Sequence, residues 1–339
     1  MAKYEYKTLK NIDEKVEKVI EKLNMVVSSK VNQAIENKQN FYVTTAFHKE
    51  TKVIFKARIA DHRVLQQWGK NFRNERRFLR ALKKDPGLNS IDKFLPEYIN
   101  SRINGVEWLM YKYIEVDPVG SDHCNFIEPS RRHISEIIQI LSGIHKFDIK
   151  KFCNNYGWTK NITRMDSQHY LDYFNKIKRL KKKEFKHVID QSMLEKGHSL
   201  LVKKRKLLDR KCNFLTHGDF HPANIFIDQN AIAIDWENLH INNIAFDITT
   251  LWFRMANHKK YRKLLLEEFT KTITQKEDFK QLFRLNILSR LPAETTIWAN
   301  RLKKAEDNTD EHKKTKKICD LCYSNYMSAI NNQDIESYE

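Results

Sequence analysis

The chain has 339 residues, 41% of them hydrophobic, with only 8 glycines and 6 prolines. That length suits two domains or one two-lobed domain and excludes a disordered or loop-dominated protein. The formal net charge of +18 has two readings, a solvated basic surface or an anionic partner such as a phosphorylated substrate, nucleic acid or an acidic membrane.

The five cysteines, an odd number, argue against a disulfide framework and for a reducing, cytoplasmic setting. No apolar run reaches 18 residues, and the first fifteen residues have no apolar core of the signal-peptide kind. A secreted or membrane-spanning chain is therefore not expected.

In chain order, residues 11–24 predict an amphipathic helix. Ile12, Val16, Val19, Ile20 and Leu23 share one face, and Asn11 with Glu14 resembles a capping box. Strand-like runs follow at 25–31, 41–47 and 52–59, the last two joined as a hairpin across His48–Thr51. Lys56 sits inside the third run, flanked by Ile54, Phe55 and Ile59. A helix at 63–83 has an apolar face of Leu65, Trp68, Phe72, Phe78, Leu79 and Leu82, and Glu75 lies within that face. Glu75 has two readings: an ion pair with Lys56 that aims the ammonium at phosphates, or a pairing with Arg76 or Arg80 on a solvated helix surface.

Asp85-Pro86-Gly87 marks a turn, Pro96 opens a strand and residues 106–115 form another, ended by Asp117-Pro118-Val119-Gly120. This passage divides the chain near residue 114. Residues 1–114, with the leading helix 11–24, form one lobe and residues 115–339 a second, helical one. Residues 130–147 predict an apolar helix and 165–211 two helices. Residues 176–211 carry 14 Lys/Arg against 4 Asp/Glu, a net of +10. Several helices are expected over 246–330, with 303–317 an exposed connection or helix end. Cys319-Asp320-Leu321-Cys322 is a single CxxC, a weak zinc signal that is also explained by burial on a helix.

The chemistry concentrates in residues 214–238. Phe214 and Leu215 bring a strand to a turn that holds Asp219. Five residues later comes Asn224, and eleven after that Asp235, with Ile225–Ile227 and Ala231–Ile234 as a hairpin between them. Asp219 can accept a hydrogen bond from a substrate hydroxyl and later its proton. Asn224 and Asp235 offer oxygens to the Mg²⁺ that accompanies a nucleoside triphosphate.

These residues resemble the signature of the aminoglycoside phosphotransferase and choline kinase family, which has a protein-kinase-like fold. The signature stands here as His217-Gly218-Asp219-Phe220-His221-Pro222-Ala223-Asn224 and Ile234-Asp235-Trp236-Glu237. The resemblance implies an α+β, two-lobed protein-kinase-like fold, with a small antiparallel-sheet N-lobe and a larger, mainly helical C-lobe. It also implies ATP and Mg²⁺ as cofactors, with Asp219 as catalytic base and Asn224 and Asp235 as metal ligands. Lys56 and Glu75 match the phosphate-binding lysine and its partner, and backbone groups of Tyr111 and Tyr113 match the adenine-binding hinge. Asp247 matches an aspartate that braces the catalytic loop. His217 and His221 are expected to shape that loop, and His145 to be a core or capping histidine. One departure is the phosphate-covering segment, about Asn32–Asn40, which has no glycine.

The expected activity is transfer of the γ-phosphoryl group of ATP to a hydroxyl of a small-molecule acceptor. Polycationic aminoglycosides want carboxylates, whereas the helices before the loop are the most basic part of the chain, so an anionic acceptor fits better. Choline would need an aromatic cage, for which Trp252, Trp298 and Tyr323 are available. Two further readings stand beside this one: a kinase-like enzyme acting on a protein or other macromolecule, and a non-catalytic nucleic-acid-binding module that uses the basic helices. The acceptor, the choice of ATP over GTP and the oligomeric state are not written in the sequence.

Overall fold

A computed structural model describes residues 10–29, 41–58, 66–88, 90–103, 105–122, 125–126, 129–156, 162–184 and 190–333. The expected phosphate-covering segment Asn32–Asn40 lies outside these residues, as does Cys124. Contacts divide the chain into two compact units. One is Met1–Asp117 with Asp228–Leu239, the other Pro118–Ile227 with His240–Glu339. Asp228–Leu239 thus belongs with the first unit, which a single boundary near residue 114 does not express.

The first unit is built on a five-stranded antiparallel sheet. Its strands are β1 (Val26–Val27), β2 (Phe41–His48), β3 (Thr51–Arg58), β4 (Tyr98–Ile103) and β5 (Val106–Lys112), in the order β1-β2-β3-β5-β4. Among the described residues the first predicted strand holds two strand residues, with Lys30 and Val31 outside the described residues, and the last stops at Lys112 instead of Glu115. β2 and β3 pair from Phe41↔Arg58 to His48↔Thr51. Their turn residues Lys49 and Glu50 both have positive φ, 47° and 67°, the geometry whose twist matches a two-residue hairpin. Helix α1 (Lys10–Lys22) covers one sheet face, where Val16, Val19 and Ile20 join Tyr42, Phe55 and Trp108 in one buried cluster.

Strand side chains alternate between faces, and β3 uses this directly. Val53, Phe55 and Ala57 point into that buried cluster. Lys56 therefore points to the other face, where helix α2 (Gln66–Lys84) presents Phe72, Glu75, Phe78 and Leu79, all buried.

The second unit is mainly helical. It contains β6 (Gly120–Asp122), β7 (Asn125–Phe126), α3 (Arg131–His145), α4 (Ile149–Tyr156), α5 (Ser167–Glu184), α6 (Gln191–Lys203), α7 (Arg205–Lys211), β8 (Phe214–Thr216) and β9 (Ile225–Ile227). After β10 (Ala231–Ala233) of the first unit come β11 (His240–Asn242), α8 (Phe246–Arg254), α9 (Lys259–Lys271), α10 (Lys276–Leu302) and α11 (Asp310–Ile330). The two helices expected over 165–211 are three, because the chain breaks at Lys204 between α6 and α7. The expected exposed connection at 303–317 is shorter, since α11 already starts at Asp310, capped by Thr309.

Ser130 caps α3 in a reciprocal capping box with His133. His145 at the helix end is half-buried between Phe214 and Phe269, with ring centroids 5.5 Å from each. Burial lowers its pKa to about 3, so it is a neutral core residue. Cys319 and Cys322 are buried on α11 and not disulfide-bonded, which is the packing reading of the CxxC. Among the described residues no helix is long and apolar enough to cross a membrane.

Candidate active site

The first unit gathers four of the residues singled out in the sequence. The Lys56 ammonium lies 2.9 Å from Asp235 Oδ1, 2.7 Å from Glu237 Oε2 and 3.6 Å from Glu75 Oε2. Glu75 is fully buried, so its reading as a solvated surface residue fails. Arg76 pairs instead with Glu107 at 2.9 Å. Glu75 Oε1 accepts hydrogen bonds from the Tyr111 hydroxyl at 2.6 Å and the Trp236 amide at 3.0 Å, which leaves Oε2 turned to Lys56.

Asp235 adopts the left-handed conformation, φ 64° and ψ 58°. Asp tolerates this region better than most residues because its short polar chain bonds locally. Here it reverses the chain so that the Trp236 amide meets Glu75 while the Asp235 carboxylate meets Lys56. The short 3₁₀ turn Trp236–Asn238 then brings Glu237 to the same ammonium. The Trp236 ring anchors the turn on α2, 5.3 Å from the Phe78 ring.

Three carboxylates facing one cation set the protonation of the cluster. Burial alone would lower the Lys56 pKa, but Glu75, Asp235 and Glu237 outweigh it and raise it. Burial raises Glu75 and pushes Glu237 up to about 7, in each case against the lowering effect of Lys56. The carboxylate oxygens of Glu75, Asp235 and Glu237 lie within 4.8 Å of one another. A hard, all-oxygen set of this kind fits Mg²⁺. Glu237 was quoted in the sequence signature but given no role. Its signal was its position two residues beyond Asp235, where a tight turn returns it to the same side.

The two residues expected at the hinge divide. Tyr111 sits inside β5 between Ile54 and Tyr98, and its side chain, not its backbone, reaches the cluster. The Tyr113 amide donates to the Lys52 carbonyl at 3.0 Å, so that N–H is committed within the sheet. Its ring carries the Lys52 ammonium at 3.5 Å.

The second unit gathers the remaining residues. β8 and β11 pair from Phe214↔Asn242 to Thr216↔His240, and the loop after β8 carries Asp219. Gly218 has φ 85°, a conformation that glycine adopts without strain. Asp247, fully buried on the first turn of α8, accepts the His217 amide at 2.8 Å and the Gly218 amide at 3.1 Å. It therefore fixes the backbone just before Asp219. Burial pushes the Asp247 carboxyl up to about 7 against these amides.

Asp219 is half-buried, 36% exposed at its side chain, with Oδ2 3.6 Å from His221 Nε2. Burial by itself would raise its pKa. The interaction with His221 and the charges of His221, His217 and Arg290 outweigh that and lower it. An ionised, partly accessible carboxylate can take a hydrogen bond from a hydroxyl. Asn224 Nδ2 donates to the Asp219 carbonyl at 3.0 Å and lies 3.2 Å from His221 Nε2. Its amide oxygen is thereby turned away, available as a ligand.

Two of the three cage candidates are packed inside. Trp252 is 1% exposed, with the Arg262 guanidinium 3.4 Å from its ring centre, and Trp298 is buried. Only Tyr323 of the three is exposed, at 40%. An aromatic cage from these residues is not formed.

A family model described as "Phosphotransferase enzyme family" matches residues 38–277. No curated protein matches the chain. Among solved structures, a spectinomycin phosphotransferase in complex with ADP and spectinomycin is similar at TM-score 0.56 and 12% identity, covering 92% of this chain and 98% of its own. An aminoglycoside 2'-phosphotransferase-IIIa in complex with GDP is similar at TM-score 0.56 and 11% identity, covering 94% and 98%. A choline kinase from Streptococcus pneumoniae is similar at TM-score 0.53 and 16% identity, covering 93% and 99%. The chain therefore belongs to the phosphotransferase enzyme family and has its α+β, two-lobed protein-kinase-like fold.

Proposed function

We propose that this protein is an ATP-dependent phosphotransferase that moves the γ-phosphoryl group to a hydroxyl of a small-molecule acceptor other than a polycationic aminoglycoside. The observation that carries this reading is the largely buried Lys56 ammonium, 12% exposed at its side chain, held among Glu75, Asp235 and Glu237. A binding module has no use for a buried cation surrounded by three carboxylates, whereas phosphoryl transfer needs such a group to meet phosphate oxygens. Lys56 would hold the phosphates, positioned by Glu75, and Asp235 with Asn224 and Glu237 would hold Mg²⁺. The metal, when bound, neutralises phosphate charge. Asp219 would orient the acceptor hydroxyl and take its proton, while Asp247 keeps the loop in place. Buried thiols without a disulfide at Cys153, Cys212, Cys319 and Cys322 fit work in a reducing compartment such as the cytoplasm.

The test is ATP consumption over a panel of alcohols, amino alcohols, sugars and their phosphates. Asp219→Asn is expected to lose about 10²–10⁴ in turnover while still binding ATP. Equal turnover by Asp219→Asn on every substrate would remove Asp219 from its role. Salt-dependent nucleic-acid binding with no nucleotide turnover would replace the enzyme reading altogether.

A further inference from the structure

A cluster with two arginines, Arg254 and Arg290, lies in the helical unit. Helix α8 carries Asp247, the carboxylate that holds the Gly218 amide next to Asp219. Three residues on, one turn along the same helix face, Thr250 Oγ1 accepts a hydrogen bond from Arg290 Nη1 at 2.5 Å. Arg290 Nε lies 3.4 Å from Glu294 Oε1, and Arg254 reaches the same oxygen at 3.3 Å. One buried glutamate oxygen is thus shared by two arginines.

Arg290 is positioned firmly. One turn earlier on α10, Asn286 is locked in a buried network, donating to Asn243 Oδ1 at 3.1 Å and accepting from the Tyr170 hydroxyl. That hydroxyl also lies 2.9 Å from Asn242 Oδ1, at the end of β11. The helix face bearing Arg290 is thus tied to the strand that pairs with β8, which leads into the Asp219 loop. The Arg290 side chain remains 21% exposed, and its Nη2 has no hydrogen-bond partner among the described residues. The exposed Tyr173 on α5 lies within reach of the charges of Arg290 and Glu294. The Arg290 charge also reaches Asp219, where it helps keep the carboxyl ionised.

We infer that Arg290 is the acceptor-side anion contact: the acceptor carries a phosphate or carboxylate near the hydroxyl served by Asp219, and this group pairs with the free edge of the guanidinium. The inference rests on the phosphotransfer reading above and sharpens it. A polycationic acceptor would find Glu294 already shared by two arginines. An anion meets an unfilled, charge-assisted donor.

The experiment uses the full chain loaded with Mg²⁺ and ADP, and titrates glycerol, sn-glycerol 3-phosphate, glycerate and choline by calorimetry. At least one of the two anions is expected to bind about tenfold or more tightly than glycerol and choline, the size of one charge-assisted hydrogen bond. Phosphate over carboxylate, or the reverse, identifies the group. Arg290→Met is expected to erase the preference and Arg290→Lys to keep part of it. Choline or glycerol binding as tightly as the anions, or no saturable anion binding, overturns the proposal. So does an Arg290→Lys variant that loses thermal stability while keeping the full preference, because Arg290 then serves the fold. Failure to bind ADP at all would instead count against the phosphotransfer reading.

Discussion

The Tyr111 hydroxyl donates to Glu75 Oε1 at 2.6 Å, fully out of solvent. With the Trp236 amide it occupies one carboxylate oxygen and leaves the other to Lys56. Tyr111→Phe keeps the ring and its packing but leaves a buried carboxylate short of a donor. The expected cost is about 1–3 kcal/mol of stability, read as a lower unfolding midpoint in urea. A rise in KM for ATP should accompany it, because Glu75 then holds Lys56 less firmly. An unchanged midpoint would show that water replaces the phenol.

Among the described residues, Lys56 is the cation paired with Glu75, Asp235 and Glu237. Lys56→Met leaves these carboxylates uncompensated and should cost about 3–5 kcal/mol, as for other broken buried pairs. Adding Glu237→Gln removes part of the repulsion, so the double variant should be more stable than Lys56→Met alone. Additive effects of the two substitutions would mean that the 2.7 Å contact carries no coupling.

Asp247 has its pKa pushed up to about 7 from an ordinary 3.8, with burial as the main cause. A raised carboxyl is protonated in the folded state where the unfolded chain has already released its proton. Its contribution to stability therefore falls as pH rises from about 4 to about 7, and is level above that. Asp247→Asn has no such titration. Denaturation series at several pH values should show a flatter profile for the variant across this window. Identical slopes would refute the assignment.

Gly197 on α6 has no room for a side chain. A Cβ there would meet the hydroxyl of buried Tyr326 and, at 3.3 Å, Phe174 Cζ. Tyr326 is held in place by donating to the Met193 carbonyl at 3.1 Å. Gly→Ala inside a helix should add about 1 kcal/mol from propensity, but overpacking typically costs about 1–3 kcal/mol. We expect the clash to win and Gly197→Ala to melt lower than the parent. Tyr326→Phe in the same background should recover part of the loss, since it removes the clashing oxygen.

Local chemistry was legible without coordinates. The spacing of Asp219, Asn224 and Asp235 was readable because a tight loop and a short strand impose it along the chain. The position of Lys56 on β3 was readable because strand alternation forces it away from Phe55. So was the apolar face of α2 with Glu75 inside it, since helical period alone puts Glu75 among Phe72, Phe78 and Leu79. What periodicity cannot carry is which side chains from distant segments meet. Glu75 could have paired with Arg76 on a wet surface, and only burial of the whole α2 face against Trp236 turned it toward Lys56. The Tyr111 hydroxyl bond to Glu75 was set by the residue's place within the sheet. Trp252, readable as a cage wall, was claimed by the core. Glu237 and Arg290 gained their roles from a left-handed residue and from a bond to Thr250 forty residues away. Those are long-range juxtapositions, decided by packing and by the pairing of charges that have left water.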